Sequence, residues 1–161
     1  MGDLVDQGAP ALADLVPTLL MERAMDTAAT TVIPNLSVRD GKDAVAFYQA
    51  AFGAVEDVRF EGDDGSIFAA LSINGARFFV ADESPDHGNL SPASLGGTSV
   101  RVDLLVPNPD AMFVQALRAG ATEISPVRDE EVGPRMGALR DPFGHTWLIG
   151  SPWDPMSQGN V

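Results

Sequence analysis

In TVIPNLSV, residues 31–38, Val32, Pro34, Leu36 and Val38 stand on one parity and Ile33, Asn35 and Ser37 on the other. A repeat of two is the period of a strand, whose successive side chains leave opposite faces. The spacing then changes. Ala44, Phe47, Tyr48 and Ala51 recur at helical intervals, with Asp40 placed to cap the helix and Gly53 to stop it. Further on, Val100, Val102, Leu104 and Val106 alternate with Arg101, Asp103 and Leu105, and a helix is expected from near Asp110 to Gly120.

The second stretch copies the first. Asp43-Ala44 matches Asp110-Ala111, and Gly53-Ala54 matches Gly120-Ala121, at one common offset. Each copy continues with three strands. VEDVRFEG and SIFAALSI flank the turn DDG, and ARFFVAD follows the Asn74-Gly75 turn. TEISPVRD, RMGALRD and HTWLIGS repeat that order, with Gly144 in the place of Gly75. Each unit reads β-α-β-β-β, and the Pro/Gly/Ser-rich SPDHGNLSPASLGG joins them.

The expected organisation is an N-terminal helical extension (1–30), a first module (31–83), a connecting loop (84–97), a second module (98–151) and a C-terminal tail (152–161). Units this small do not bury a core alone, so they should pair, each helix covering one face of its own sheet. The fold class is α+β: two paired β-α-β-β-β modules forming a curved mixed sheet with a cup-shaped pocket, plus an N-terminal helical arm. Val32, Leu36, Val100, Val102 and Leu104 then face the helices. Ile33, Asn35, Arg101 and Asp103 face the cup, the last two sharing a face because they lie two apart on one strand. Phe68, Ala70 and Phe79 add an apolar and aromatic wall suited to a planar ligand. Packing between the modules accounts for the same residues, and an ion-pair network with Asp103 or around Arg77 accounts for Arg101.

Composition narrows the chemistry. With 161 residues, 45% hydrophobic and 20% charged, the chain can bury a sizeable core. The absence of cysteine excludes disulfides, zinc–thiolate sites and thiol nucleophiles, and fits a reducing compartment. The opening MGDLVDQGAP carries acid where a secretory signal carries Lys or Arg, and Asp6 breaks the myristoylation pattern. No apolar stretch reaches the length of a membrane span. The expected location is the cytoplasm. A net charge of −13 repels phosphate backbones and anionic lipids, so neither nucleic acid nor membrane is an expected partner. It attracts cations, or simply keeps the protein soluble. Leu12, Leu15, Val16, Leu19 and Leu20 form a helical stripe interrupted by Pro17. Such a stripe suits an arm clasping a homodimer; the alternative is a disordered leader.

Familiar catalytic signatures are missing. There is no G-x-S-x-G elbow, phosphate loop, dinucleotide fingerprint or twelve-residue calcium loop. His87 sits in the polar connection and reads as solvated. His145 follows Gly144 at the start of the last strand, and is expected to bond nearby backbone rather than a metal.

The paired modules, the helix end FYQAAFGA, the connection ADESPDHGNLSPASLGGT and the hairpin RMGALRDPFGHTW resemble the vicinal oxygen chelate superfamily, over about residues 31–151. That superfamily includes glyoxalases, fosfomycin- and bleomycin-resistance proteins and extradiol dioxygenases, and the likeness is greatest to its PhnB-like branch. The resemblance implies four cup-facing metal ligands, usually His and Glu. The matching positions here are Ile33, Phe79, Arg101 and Leu148, none of which ligates a divalent metal. No metal and no other cofactor is therefore expected.

Three functions remain open. The first is metal-free binding of a small hydrophobic or aromatic molecule, of the sequestration or resistance type, lined by Ile33, Asn35, Phe68, Ala70, Phe79, Arg101, Asp103 and Leu148. The second is a lyase or isomerase in which Arg101 polarises a carbonyl and Asp103 moves a proton. The third is an assembly module whose cup is filled by its own side chains.

Overall fold

The computed structural model describes residues 30–153. The first module runs β1 (Asn35–Val38), α1 (Gly41–Phe52), β2 (Val55–Glu61), β3 (Ile67–Ile73) and β4 (Ala76–Asp82). The connector carries a 3₁₀ turn (Pro85–His87) and a one-turn α2 (Pro92–Leu95). The second module runs β5 (Arg101–Leu105), α3 (Pro109–Ala119), β6 (Thr122–Arg128), β7 (Met136–Arg140) and β8 (Thr146–Gly150). The chain divides into Met1–Val32 and Ile33–Val161, so both modules belong to one unit. The expected N-terminal arm and its Leu/Val stripe lie outside the described residues, as does the tail beyond Trp153.

The α+β class and the repeat are present, but the sheet is not single. Two four-stranded mixed sheets form, in the orders β1-β4-β3-β2 and β5-β8-β7-β6. Among the described residues β1 pairs only with β4 and β5 only with β8, in both cases parallel, so each module has its first strand at a sheet edge. One cleft, walled also by connector residues, is lined by both of these strands, and it takes the place of a ladder between them.

Both edge strands start later than their alternation suggests. Pro34 has no N–H for a ladder, although its carbonyl still accepts from Phe79 N at 2.8 Å. Val32, before it, is 93% exposed. Val100 N is taken by the Thr98 hydroxyl at 3.2 Å, a local bond that competes with strand pairing, and Val100 is also exposed. Neither valine joins the core.

The helices follow their caps. Asp40 accepts from Asp43 N at 3.0 Å, and Gly53 closes α1 in the left-handed region at φ 65°. α3 starts a residue earlier than Asp110 suggested: Asn108 caps it through Ala111 N, and Pro109 takes the first position, where its missing N–H costs nothing. The hairpin between β3 and β4 turns at Asn74 (φ 49°) and Gly75 (φ 87°), the two positive values a two-residue turn requires.

α1 and α3 pack on each other, tied by Gln115 Nε2 donating to the Ala50 carbonyl at 2.9 Å. One continuous core spans both modules. Its centre is aromatic: Phe47, Tyr48, Phe52 and Phe78 from the first module and Trp147 from the second. Trp147 is 1% exposed, as its helix-facing parity predicts, and its ring centroid lies 4.7 Å from that of Phe52.

Candidate functional site

Between β1 and β5 opens a cleft of about 810 Å³. Leu36, Leu90, Leu95, Val100 and Val102 give it apolar walls, and Asn35, Arg101, Asp103 and His145 supply the polar groups. A concave, mainly apolar site with a few convergent polar groups is the usual form of a small-molecule pocket. Alternation explains the arrangement on β5, where Arg101 and Asp103 leave one face while Leu104 turns into the core. Both charged side chains are exposed.

Three of the eight residues expected to line the cup do line this cleft: Asn35, Arg101 and Asp103. The other five lie elsewhere. Ile33 is half-buried just ahead of β1. Asn35, Phe79 and Ala70 form a cross-strand row on the first sheet, and Asp103 pairs with Leu148 in the equivalent row of the second. Phe68 and Phe79 are half-buried with centroids 5.1 Å apart, and Phe60 extends this strip with its centroid 6.3 Å from that of Phe68. Ala70 is 2% exposed and offers no open wall. The aromatic strip and the charged pair therefore do not share a cavity wall. Sequence reasoning missed the connector's contribution. The signal was there in Leu90 and Leu95, two large apolar residues in an otherwise polar loop.

His145 is a structural bridge that also faces the cleft. Its Nε2 lies 3.0 Å from the Ser37 carbonyl oxygen, which only accepts, so that nitrogen carries the proton. This bond joins β8's leading residue to β1 of the other module. His145 N donates in turn to Asp141 Oδ1 at 2.9 Å.

Asp141 is 3% exposed and anchors both modules. Oδ1 accepts from Phe143 N and His145 N, and Oδ2 accepts from Tyr48 Oη at 2.7 Å and Trp147 Nε1 at 2.9 Å. Burial, reinforced by this adjacent carboxylate, pushes the Tyr48 hydroxyl well above its usual pKa. The connector is held in a comparable way. Glu83 accepts from Ser91 N at 2.8 Å, from Ser94 Oγ and from Arg39 Nε. Led by the Ser91 backbone bond, these contacts lower the Glu83 pKa to about 2.

The positions that the resemblance assigns to metal ligands do not fit a metal. Ile33, Phe79 and Leu148 carry no donor atoms, and Arg101 offers only N–H groups. Among the described residues no three His, Asp or Glu side chains come together as a ligand set. Also among the described residues, no helix is long and apolar enough to cross a membrane.

Residues 28–149 match the family model described as the Glyoxalase/Bleomycin resistance protein/Dioxygenase superfamily. The Mycobacterium tuberculosis (strain H37Rv) protein Rv0887c is 44% identical over 135 residues, 79% of each chain, and is described as uncharacterized. The Arabidopsis thaliana protein At5g48480 is 32% identical over 116 residues, covering 66% of this chain and 69% of its own. Among solved structures, TioX from Micromonospora sp. ML1 superposes with a TM-score of 0.61 at 25% identity, covering 76% of this chain and 98% of TioX. The fosfomycin resistance protein FosX from Mesorhizobium loti shares the fold with a TM-score of 0.59 at 11% identity, covering 83% of this chain and all of FosX. Two β-α-β-β-β modules around a shared aromatic core, matched along most of their length, place this chain in the glyoxalase/bleomycin resistance protein/dioxygenase superfamily, to which it belongs.

Proposed function

We propose that this protein binds a small hydrophobic or aromatic molecule in the cleft between β1 and β5 without a metal, in a sequestration or resistance role. The open cleft itself carries this reading: about 810 Å³ of mainly apolar wall, with Asn35, Arg101 and Asp103 at its polar positions. A cup filled by its own side chains, as an assembly module would have, would leave no such volume. The donor-poor ligand positions support the metal-free part of the reading.

Arg101 and Asp103 together select the ligand. A simple cation meets Arg101 unfavourably, and a simple anion meets Asp103. A zwitterionic or carbonyl-bearing aromatic compound satisfies both, each charge-assisted contact contributing roughly 1.5–3 kcal/mol when well formed. Calorimetric screening of such compounds against the wild type, Asp103→Asn and Arg101→Met tests the assignment. Hits that neither substitution weakens would remove the ligand from this cleft.

A second reading has one observation behind it: both charged groups of the lyase or isomerase hypothesis line the same cleft. In that role Arg101 polarises a carbonyl oxygen and Asp103 takes the adjacent proton. Turnover of a carbonyl substrate that stops in Asp103→Asn while binding survives would establish it over the first.

Membership of the PhnB-like branch, a cytoplasmic location and a homodimer complete the proposal. The dimer rests on the apolar stripe of residues 12–20 and on the readiness of this fold to pair, and sedimentation of the full chain as a monomer would overturn it.

A further inference from the structure

Cations are scarce here: ten Lys and Arg against 23 Asp and Glu. Of the ten, Arg23 lies outside the described residues, and six of the other nine (Arg39, Lys42, Arg59, Arg77, Arg128 and Arg135) form ion pairs. That leaves Arg101, Arg118 and Arg140 without an acidic partner among the described residues. Arg118 is on the exposed side of α3. The other two are neighbours.

Arg101 pairs across the ladder with Thr146, and Thr146 pairs on its other side with Arg140. Directly paired residues leave a sheet on the same face, so both guanidinium groups and the Thr146 hydroxyl share one surface. Strand spacing puts the two arginine backbones roughly 10 Å apart, a gap two long side chains can close from either side. Two like charges in one row repel each other, yet no carboxylate is bonded between them. Asp103, two residues along β5 on the same face, forms no ion pair with either among the described residues.

The surroundings are concave. A second cavity of about 370 Å³ is lined by Arg140, Thr146, Phe143, Gly96, Gly97 and Thr98. It shares Gly97 and Thr98 with the main cleft, where Arg101 lies. The row thus runs from the large apolar cleft into the smaller one beneath the connector.

We propose that Arg101 and Arg140, flanking Thr146, form an oxyanion subsite that takes the carboxylate of an aromatic acid whose ring lies in the main cleft. Two guanidinium forks and a hydroxyl match the lone pairs of a carboxylate, and an anion there removes the repulsion between the arginines. The protein's negative field opposes the approach of an anion, but salt screens it beyond about 8 Å, whereas the subsite acts at contact. The inference rests on the cleft being a small-molecule site. It narrows the polar end of the ligand to an acid group, with Asp103 left to meet any donor the ligand carries.

The test is titration, by calorimetry and amide chemical-shift changes, of one- and two-ring aromatic carboxylates that also carry an amino group, and of their primary amides, against wild type, Arg101→Gln, Arg140→Gln and Arg140→Lys. The acids should bind about tenfold or more tightly than the amides, with shifts at Thr146 and Arg140. Arg140→Gln should abolish that preference without changing the melting temperature, and Arg140→Lys should restore part of it. Acids and amides that bind equally well, or an acid preference that survives Arg140→Gln, would overturn the subsite and leave the cleft reading standing. No binding of either series overturns both.

Discussion

The Tyr48 hydroxyl donates to Asp141 Oδ2 over 2.7 Å, joining two residues 93 positions apart, one on the first module's helix and one in the second module's last hairpin. Tyr48 is fully buried and is the chain's only tyrosine. With Trp147 Nε1 on the same oxygen, this bond fixes where the second sheet meets α1.

Tyr48 should make the fold sensitive to alkali. Its folded pKa is raised, first by burial and then by Asp141, so the folded state holds the phenol proton that the unfolded chain loses near pH 10. The contribution is fully present below pH 10. Above it, stability should fall by up to about 1.4 kcal/mol per pH unit. Tyrosinate absorbance should then appear only with unfolding. Gradual ionisation in the folded protein would show that the hydroxyl is not held as described.

Tyr48→Phe should cost about 1–3 kcal/mol in chemical denaturation, because it withdraws one donor from a buried carboxylate. Asp141→Ala should cost more, since it strands the Tyr48 hydroxyl, the Trp147 indole and two backbone N–H groups at once. Equal effects would mean that Asp141's backbone bonds contribute nothing.

Glu83 should give an acid response. Its folded pKa, about 2, lies below the ordinary 4.5, so its contribution is present above pH 4.5 and is lost as pH falls toward 2. Hydrogen exchange at Ser91 and Ser94 should quicken across that window. Glu83→Gln should show the faster exchange already at neutral pH. Exchange that ignores both changes would remove Glu83 as the connector's anchor.

Gly144→Ala should destabilise by about 1–3 kcal/mol in thermal or chemical melts. The residue sits at φ 95°, and a Cβ there would lie 2.8 Å from Pro92 Cβ. Gly75→Ala, at φ 87° but with open space around it, should pay the backbone penalty alone. The difference between the two measures the contact with the connector.

Protein purified without chelator should carry no stoichiometric zinc, nickel, iron or manganese in elemental analysis. One equivalent per chain, lost on substitution of cleft residues, would overturn the assignment of Ile33, Phe79, Arg101 and Leu148 to the ligand positions.

The repeat was legible because each module repeats its own local chemistry. Period-two runs, a helix of matched spacing and turn glycines at Gly75 and Gly144 all survive in a one-dimensional reading. Features that depend on distant partners were not legible. Nothing periodic connects Tyr48 with Asp141, and the cleft is walled in part by a connector that carries no strand pattern. Only part of the charged surface was readable. Arg101 and Asp103 fell to simple parity, whereas placing Arg140 beside Arg101 needs the register of β7 on β8 as well as that of β8 on β5. Phe68 and Phe79 were placed on the right kind of face, but parity does not say how far along a sheet a cavity extends.

Pinned between Glu83 and Gly144, the connector acts as a strut. Ser91 and Pro92 are buried, and the one residue bonds back to β4's end while the other packs on the β7–β8 turn. A loop fastened at both ends is a poor hinge. Two copies of this chain trading second modules would first have to break the Ser91–Glu83 bond and unseat Pro92 from the β7–β8 turn.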